Sequence, residues 1–170
     1  MHRRPETAAG RPPDAVAIRP ATAGDEGFLR QLTAQAFGHL GPYEEWVASW
    51  LRDPRVGTSL VERAGQPAGF SMLVVGRSPT GERWVGDLLV LAVAPPHRRR
   101  GLGRALLEQA IEVCMLAGCG KVERWLELSV AADNEAARRL FERAGLAAVD
   151  VPTSSYPNGQ RSIRLRRALT

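Results

Sequence analysis

Lysine is almost missing from this chain. Lys121 is the only one in 170 residues, so arginine carries nearly all of the net charge of +5. A basic balance of this kind suits a polyanion partner, or reflects a genome rich in arginine codons. The arginines gather at 98–104 and 161–167 and are otherwise scattered. Aromatic residues make up only 6% and do not interleave with them, which argues against a single-strand stacking platform. No helix-turn-helix, zinc or RNA-sheet pattern is present, so no nucleic-acid partner is expected. Cysteine is equally scarce. Cys114 and Cys119 stand five apart, a spacing that matches no common zinc pattern, and the three histidines are dispersed. No metal site is expected, and a reducing, cytoplasmic setting is the simplest reading. No run of eighteen apolar residues exists, which leaves no segment to span a membrane. The opening "MHRRPETAAGRPPDA" is basic but has no apolar run behind it, unlike a signal peptide.

What is present reads as one globular domain. The composition is 44% hydrophobic and 24% charged, ordinary for a protein with a packed core. Residues 1–14 are rich in Pro, Gly and Arg and read as a disordered tail, leaving 15–170 as the domain. "AVAIRPAT" (15–22) alternates as a strand. Thr22 or Asp25 caps a helix with Phe28, Leu29, Leu32 and Phe37 on one side. A second helix covers 41–51, with Trp46, Val47, Trp50 and Leu51 at helical spacing, and Pro54 stops it. "GTSLVER" and "GFSMLVVGR" form a hairpin, and "RWVGDLLVLAV" (83–93) is a third, central strand. A helix runs from Gly101 to about Ala117, ended by Gly118 and Gly120, and a strand follows at 122–130. Another helix spans 133–145, and "LAAVDVP" and "RSIRLRRAL" are final strands around "YPNGQ". The order β-α-α-β-β-β-α-β-α-β-β predicts an α/β fold, one mixed sheet with helices on both faces.

Between the third strand and the long helix lies "HRRRGLGRALLEQA" (97–110). It is no Rossmann fingerprint, because Leu106 stands where the third glycine belongs and Lys121 where an acidic ribose ligand belongs. The P-loop pattern is absent as well. What remains is R-x-x-G-x-G, carried by Arg98, Gly101 and Gly103. A helix N-terminus has unpaired N–H groups and partial positive charge, and glycines let an oxyanion come close to the backbone. Arg98, Arg99, Arg100 and Arg104 add charge and donors. The loop alone leaves two readings open, a pyrophosphate seat and a solvated basic turn.

Set between a buried strand and an amphipathic helix, "DLLVLAVAPPHRRRGLGRALLEQAIE" resembles the acetyl-CoA signature of the GNAT family of N-acyltransferases. A second segment, "LELSVAADNEAARRLFERAGL" (126–146), resembles another motif of that family, N-x-x-A-x-x-L-[Y/F]-x-x-x-G-[F/L]. The element order matches as well, over about residues 15–169. The resemblance implies a sheet of six to seven strands with about four helices. It also implies acetyl-CoA as donor and transfer to an amine by direct attack. The pantetheine arm would pair with Leu91, Ala92 and Val93. The pyrophosphate would sit on the segment Arg98, Arg99, Arg100, Gly101, Leu102, Gly103, Arg104 and Ala105. Asn134 would contact the cofactor arm or simply cap its helix, and Phe141 would lie beside the thioester.

Direct attack needs a neutral amine, an acceptor for its proton and a fate for the leaving thiolate. Asp87 is the first candidate base, since it precedes "LLVLAV" where several family members carry a glutamate. Strand alternation puts it on the face of Leu89, Leu91 and Val93, unless it is a solvent-facing residue after Gly86. Glu127 and Glu82 are weaker candidates. Where the family commonly has a tyrosine in A-x-x-L-Y, this chain has Phe141, which cannot donate a proton. Water or Tyr156 would then protonate the thiolate. The acceptor would approach over 37–46 and 152–160, where Glu44, Glu45, Tyr43, Trp46 and Trp50 are available. "LRDP" followed by "LVERAGQPAGFSML" resembles, more faintly, enzymes that acetylate ribosomal-protein N-termini, although their tyrosine pair near the last hairpin is missing. The expected partner is therefore a small-molecule or peptide amine, with no membrane partner. A homodimer is compatible with such folds, whose last strands often pair between subunits. The rival reading is a CoA-binding domain without catalysis.

Overall fold

A computed structural model describes residues 14–117, 123–151 and 154–170. The expected tail (apart from Asp14), Cys119, Lys121 and the helix-ending Gly118 and Gly120 lie outside the described residues. The elements follow the predicted order. They are β1 (Val16–Pro20), α1 (Glu26–Phe37), α2 (Tyr43–Arg52), β2 (Val56–Arg63), β3 (Gln66–Arg77) and β4 (Arg83–Val93). Then come α3 (Leu102–Leu116), β5 (Glu123–Ala131), α4 (Glu135–Arg143), β6 (Ala147–Ala148) and β7 (Ser162–Leu169). The entry to α1 is a single 3-10 turn. Its Asp25 accepts from the Thr22 backbone and is clamped by the two terminal guanidinium nitrogens of Arg19 at 2.8 and 2.9 Å. "LAAVDVP" yields only the two-residue β6, because pairing with β7 ends at Ala148 opposite Leu165. The helix predicted over 133–145 is shorter, and Asn134, one of the two residues able to open it, is its cap.

Among the described residues seven strands form one sheet in the order β1-β2-β3-β4-β5-β7-β6, in which only β4 and β5 run parallel. Helices α3 and α4 pack on one face, where Leu107, Ala110 and Phe141 meet Leu88, Leu126, Leu128 and Leu165. Helices α1 and α2 cover part of the other, where Leu29, Leu32 and Val47 meet Leu60, Phe70, Met72 and Val90.

One irregularity in β4 reorganises the site. Met72 pairs with Val90 but Leu73 pairs with Leu88, so Leu89 is an extra residue, a β-bulge. Alternation slips there by one. Gly86 and Leu88 face α3, as the collision of a Cβ at Gly86 with Cys114 Sγ shows. Beyond the bulge, Val90 and Ala92 face α1 and α2, while Leu91 and Val93 turn toward α3. Asp87 therefore shares a face with Val90 and Ala92, not with Leu91 and Val93 as unbroken alternation predicts.

Candidate functional site

The parallel pairing of β4 with β5 runs from Arg83↔Glu123 to Leu88↔Leu128 and stops. Past that point β5 continues with β7, and β4 continues with β3 alone, so the two central strands part. The amide of Ala94 donates to Ala68 O on β3 at 2.8 Å. By alternation Ala92 also turns its polar groups to β3, and Leu91 and Val93 turn theirs into the opening. Of the three residues expected to pair with an extended arm, Leu91 turns both backbone groups to the opening, Val93 offers its N–H while its carbonyl already accepts Arg98 Nε, and Ala92 offers neither.

At the end of β4 the chain bends through Pro95–His97 and enters α3. Arg99 and Gly101 both have positive φ, 59° and 79°, which turns the loop tightly onto the helix axis. The first amide of α3 that finds a backbone carbonyl is Ala105, which donates to Gly101 O at 3.0 Å. Among the described residues the amides of Leu102, Gly103 and Arg104 have no such partner, leaving three donors at the positive end of the helix dipole. Ala105 is thus removed from the set of anion donors expected from sequence. The Leu102 side chain, 2% exposed, anchors the loop in the core beside Val61, Ala68 and Leu106, so only its backbone can serve. Arg98 Nε donates to Val93 O at 2.9 Å and Arg104 Nε to Glu108 at 2.7 Å. Arg99 and Arg100 are exposed and without a partner among the described residues. This donor set, the open edge at Leu91 and the N–H of Val93 fit a pyrophosphate followed by an extended amide-bearing arm.

The opening leads into a cavity of about 250 Å³. Its walls include Asp87, Leu89, Asn134, Phe141, Tyr43, Tyr156 and Arg164. The Asn134 side chain accepts the Ala137 amide at 3.1 Å, so it is a helix cap as well as part of the wall. Asp87 stands where β4 leaves β5, with 40% of its side chain open to the cavity and solvent. Burial of its carboxyl raises its pKa; Arg164, 3.2 Å away, opposes the rise and the charge of Glu127 adds to it, leaving the net shift upward. Glu127 is not a free base, because Arg164 and Arg166 hold it at 2.9 and 2.6 Å. Glu82 lies in the β3–β4 turn, outside the cavity wall, and accepts from Thr80.

Tyr156 reaches the cavity from the segment before β7, and burial pushes its pKa up to about 12. Tyr43, at the first turn of α2, packs against it with ring centroids 6.2 Å apart. The chain thus has a tyrosine pair on the cavity wall, assembled from two elements far apart in sequence. Both rings also line a second recess, bounded by Trp46, Ser129, Ser154, Ser155 and Ser162, so the pair stands between the two spaces. Phe141 is 6% exposed and forms part of the cavity wall. Arg164 was not singled out in the sequence; its signal was its place two residues from Arg166 on one face of a strand paired with β5. Glu44 and Glu45 do not line the cavity. Among the described residues no cluster could hold a metal, and no helix is long and apolar enough to cross a membrane.

Comparison with known proteins adds three findings. Residues 27–146 match the model of the Acetyltransferase (GNAT) family. A mycothiol acetyltransferase of Kineococcus radiotolerans is 33% identical over 160 residues, covering 90% of this chain and 48% of that enzyme. The chain spans about half or less of the curated mycothiol acetyltransferases it matches. Among solved structures, the ribosomal-protein-S18-alanine N-acetyltransferase of Escherichia coli superposes with TM-score 0.71 at 25% identity, covering 92% of this chain and 95% of that one. Arabidopsis thaliana NAA60, bound to a bisubstrate analogue, superposes with TM-score 0.77 at 19% identity, covering 91% and 98%, and so shares the fold.

Proposed function

Since this chain belongs to the GNAT acetyltransferase family, we propose that it is an N-acetyltransferase that moves the acetyl group of acetyl-CoA to a primary amine held in the cavity. The observation that carries this reading is the parting of β4 from β5 at Leu88. It opens strand edges, leads from the amide-rich start of α3 and ends at Asp87. Acetyl-CoA supplies an activated thioester carbonyl. The amine nitrogen bonds to that carbon, the C–S bond breaks, and the amine proton and the thiolate must both be dealt with by nearby groups.

Asp87 takes the amine proton, directly or through a water. Its raised pKa brings it nearer to neutrality than an ordinary carboxylate, which suits a base working at pH 7. Tyr156 stays protonated at all ordinary pH and can hand a proton to the departing sulfur, a role closed to Phe141. Leu91 and Val93 orient the pantetheine amides. The amides of Leu102, Gly103 and Arg104, with Arg99 and Arg100, hold the pyrophosphate. A peptide α-amine is the finer reading of the acceptor. It has support in the likeness to the ribosomal-protein alanine enzyme. A carboxylate already tied to Arg164 is also better matched to an amine of pKa near 8 than to one near 10.4.

The test is calorimetric titration with acetyl-CoA beside NAD and a short DNA duplex, followed by thiol release with a panel of amines. Binding of acetyl-CoA alone, with turnover of at least one amine, is the expected result. Binding without turnover of any amine would leave a CoA-binding domain without catalysis, and no binding would remove the whole reading.

A further inference from the structure

Leu40 and Tyr43, around the α1–α2 connection, and Tyr156, before β7, form one wall of the cavity, its roof, and several contacts tie the two segments together. Asn158, at the tip of the hairpin before β7, donates its backbone N–H to Leu40 O at 3.2 Å and its side-chain Nδ2 to His39 O at 2.8 Å. Its Oδ1 accepts the Gln160 amide at 2.8 Å and shapes the turn. Gln160 in turn bonds Asp133 beside Asn134. Close by, Gly41 lies against the ring of Pro157, and a Cβ there would stand 2.7 Å from Pro157 Cγ. The connection between α1 and α2 is thus latched to the hairpin.

Each partner of the latch carries one ring of the pair that stands between the cavity and the second recess. Tyr43 follows Leu40 by three residues, and Tyr156 precedes Asn158 by two. With centroids 6.2 Å apart the rings are in contact, and nothing passes between them as they stand. An aliphatic carbon needs about 3.5–4 Å to each ring, so a slender stem requires the rings to part by roughly 1–2 Å, and a branched stem by more. We propose that Asn158 is a specificity-determining positioning residue: it sets the width of the passage between Tyr43 and Tyr156 and so selects amines on unbranched stems. This rests on the reading that an amine enters this cavity. The latch is exposed to water, so its bonds hold the roof lightly and a slim acceptor parts it readily.

Two variants test it. Asn158→Asp keeps the oxygen that receives Gln160 but loses the donor to His39 O. Gly41→Ala drives a methyl group against Pro157 and pries the roof by another route. Each is assayed with glycyl-alanine amide and valyl-alanine amide as acceptors, and acetyl-CoA affinity is measured alongside. The expected result is a three- to ten-fold rise, on the order of one lost hydrogen bond, in kcat/KM for the valyl over the glycyl acceptor. It should come through KM, with acetyl-CoA affinity unchanged. Equal changes for both acceptors would mean a structural role only and would overturn the proposal. If the unaltered protein acetylates neither amide, the acceptor reading fails separately, and hydrogen exchange decides the latch. Faster exchange at 156–160 in both variants, with β3 and β4 unchanged, supports it, and unchanged exchange overturns it.

Discussion

Asp87 and Arg164 meet at 3.2 Å although their strands are not neighbours: β5 lies between β4 and β7, and the arginine reaches across it. The same guanidinium holds Glu127 on the intervening strand at 2.9 Å. Arg166 completes the row, bonding Glu127 and lying 5.2 Å from the centre of the Trp125 ring. The result is a carboxylate at the cavity wall whose charge is balanced from behind, while its open side faces the space where the acceptor amine would stand.

Replacing Asp87 by Asn should lower kcat about 10²-fold, the usual contribution of a positioned base, and leave acetyl-CoA affinity unchanged. Arg164→Gln should do something different. Arg164 lowers the Asp87 pKa against the effect of burial, so its loss lets that pKa rise further. The base is then protonated over a wider range, and the acidic limb of the kcat/KM profile moves to higher pH. A profile with the same acidic limb would place the base elsewhere.

Tyr156→Phe should reduce kcat about tenfold or more if the phenol protonates the thiolate, with no change in the pH profile below neutrality, because a group at about pKa 12 stays protonated there. Phe141→Tyr in that background should restore part of the loss, since position 141 borders the same cavity. Single-turnover thiol release reads both.

The two glycines of the loop should separate. Gly101 has open space around it but a φ of +79°, so Gly101→Val strains the backbone by about 1–3 kcal/mol and spoils the anion-facing amides. Acetyl-CoA affinity should fall at least tenfold in a titration. Gly103→Ala places its methyl 3.3 Å from Leu140 Cδ2, the far end of a flexible side chain, and should be tolerated with affinity within about threefold.

Gly86 and Cys114 should compensate for each other. A methyl at Gly86 collides with the buried Cys114 sulfur, so Gly86→Ala should destabilise by roughly 1–3 kcal/mol. Adding Cys114→Ala removes the obstacle and should recover most of the loss in a thermal melt, a coupling that independent effects would not produce.

Acid should weaken the anchor of α1. Arg19 holds the Asp25 carboxyl well below the usual carboxylate range. A depressed pKa contributes stability at neutral pH that is lost as pH falls through the folded value. Asp25→Asn should therefore lower the Tm near pH 7 and converge with the parent protein in strong acid.

The order of elements and the loop at Arg98–Gly103 were determined by local sequence. Apolar periodicity, caps and glycines act over a few residues and need no distant partner. So was the family, through two motifs whose spacing follows from one strand-helix-strand unit. Tertiary structure alone decided the rest. The bulge at Leu89 moved Asp87 to the other face, because a bulge depends on how two strands pair and not on the strand that carries it. The short β6 reflects pairing with β7 that ends at Ala148. The tyrosine pair, the Arg164 bridge and the Asn158 latch each join residues more than 70 positions apart, and nothing in a sequence of that separation fixes which side chains will touch.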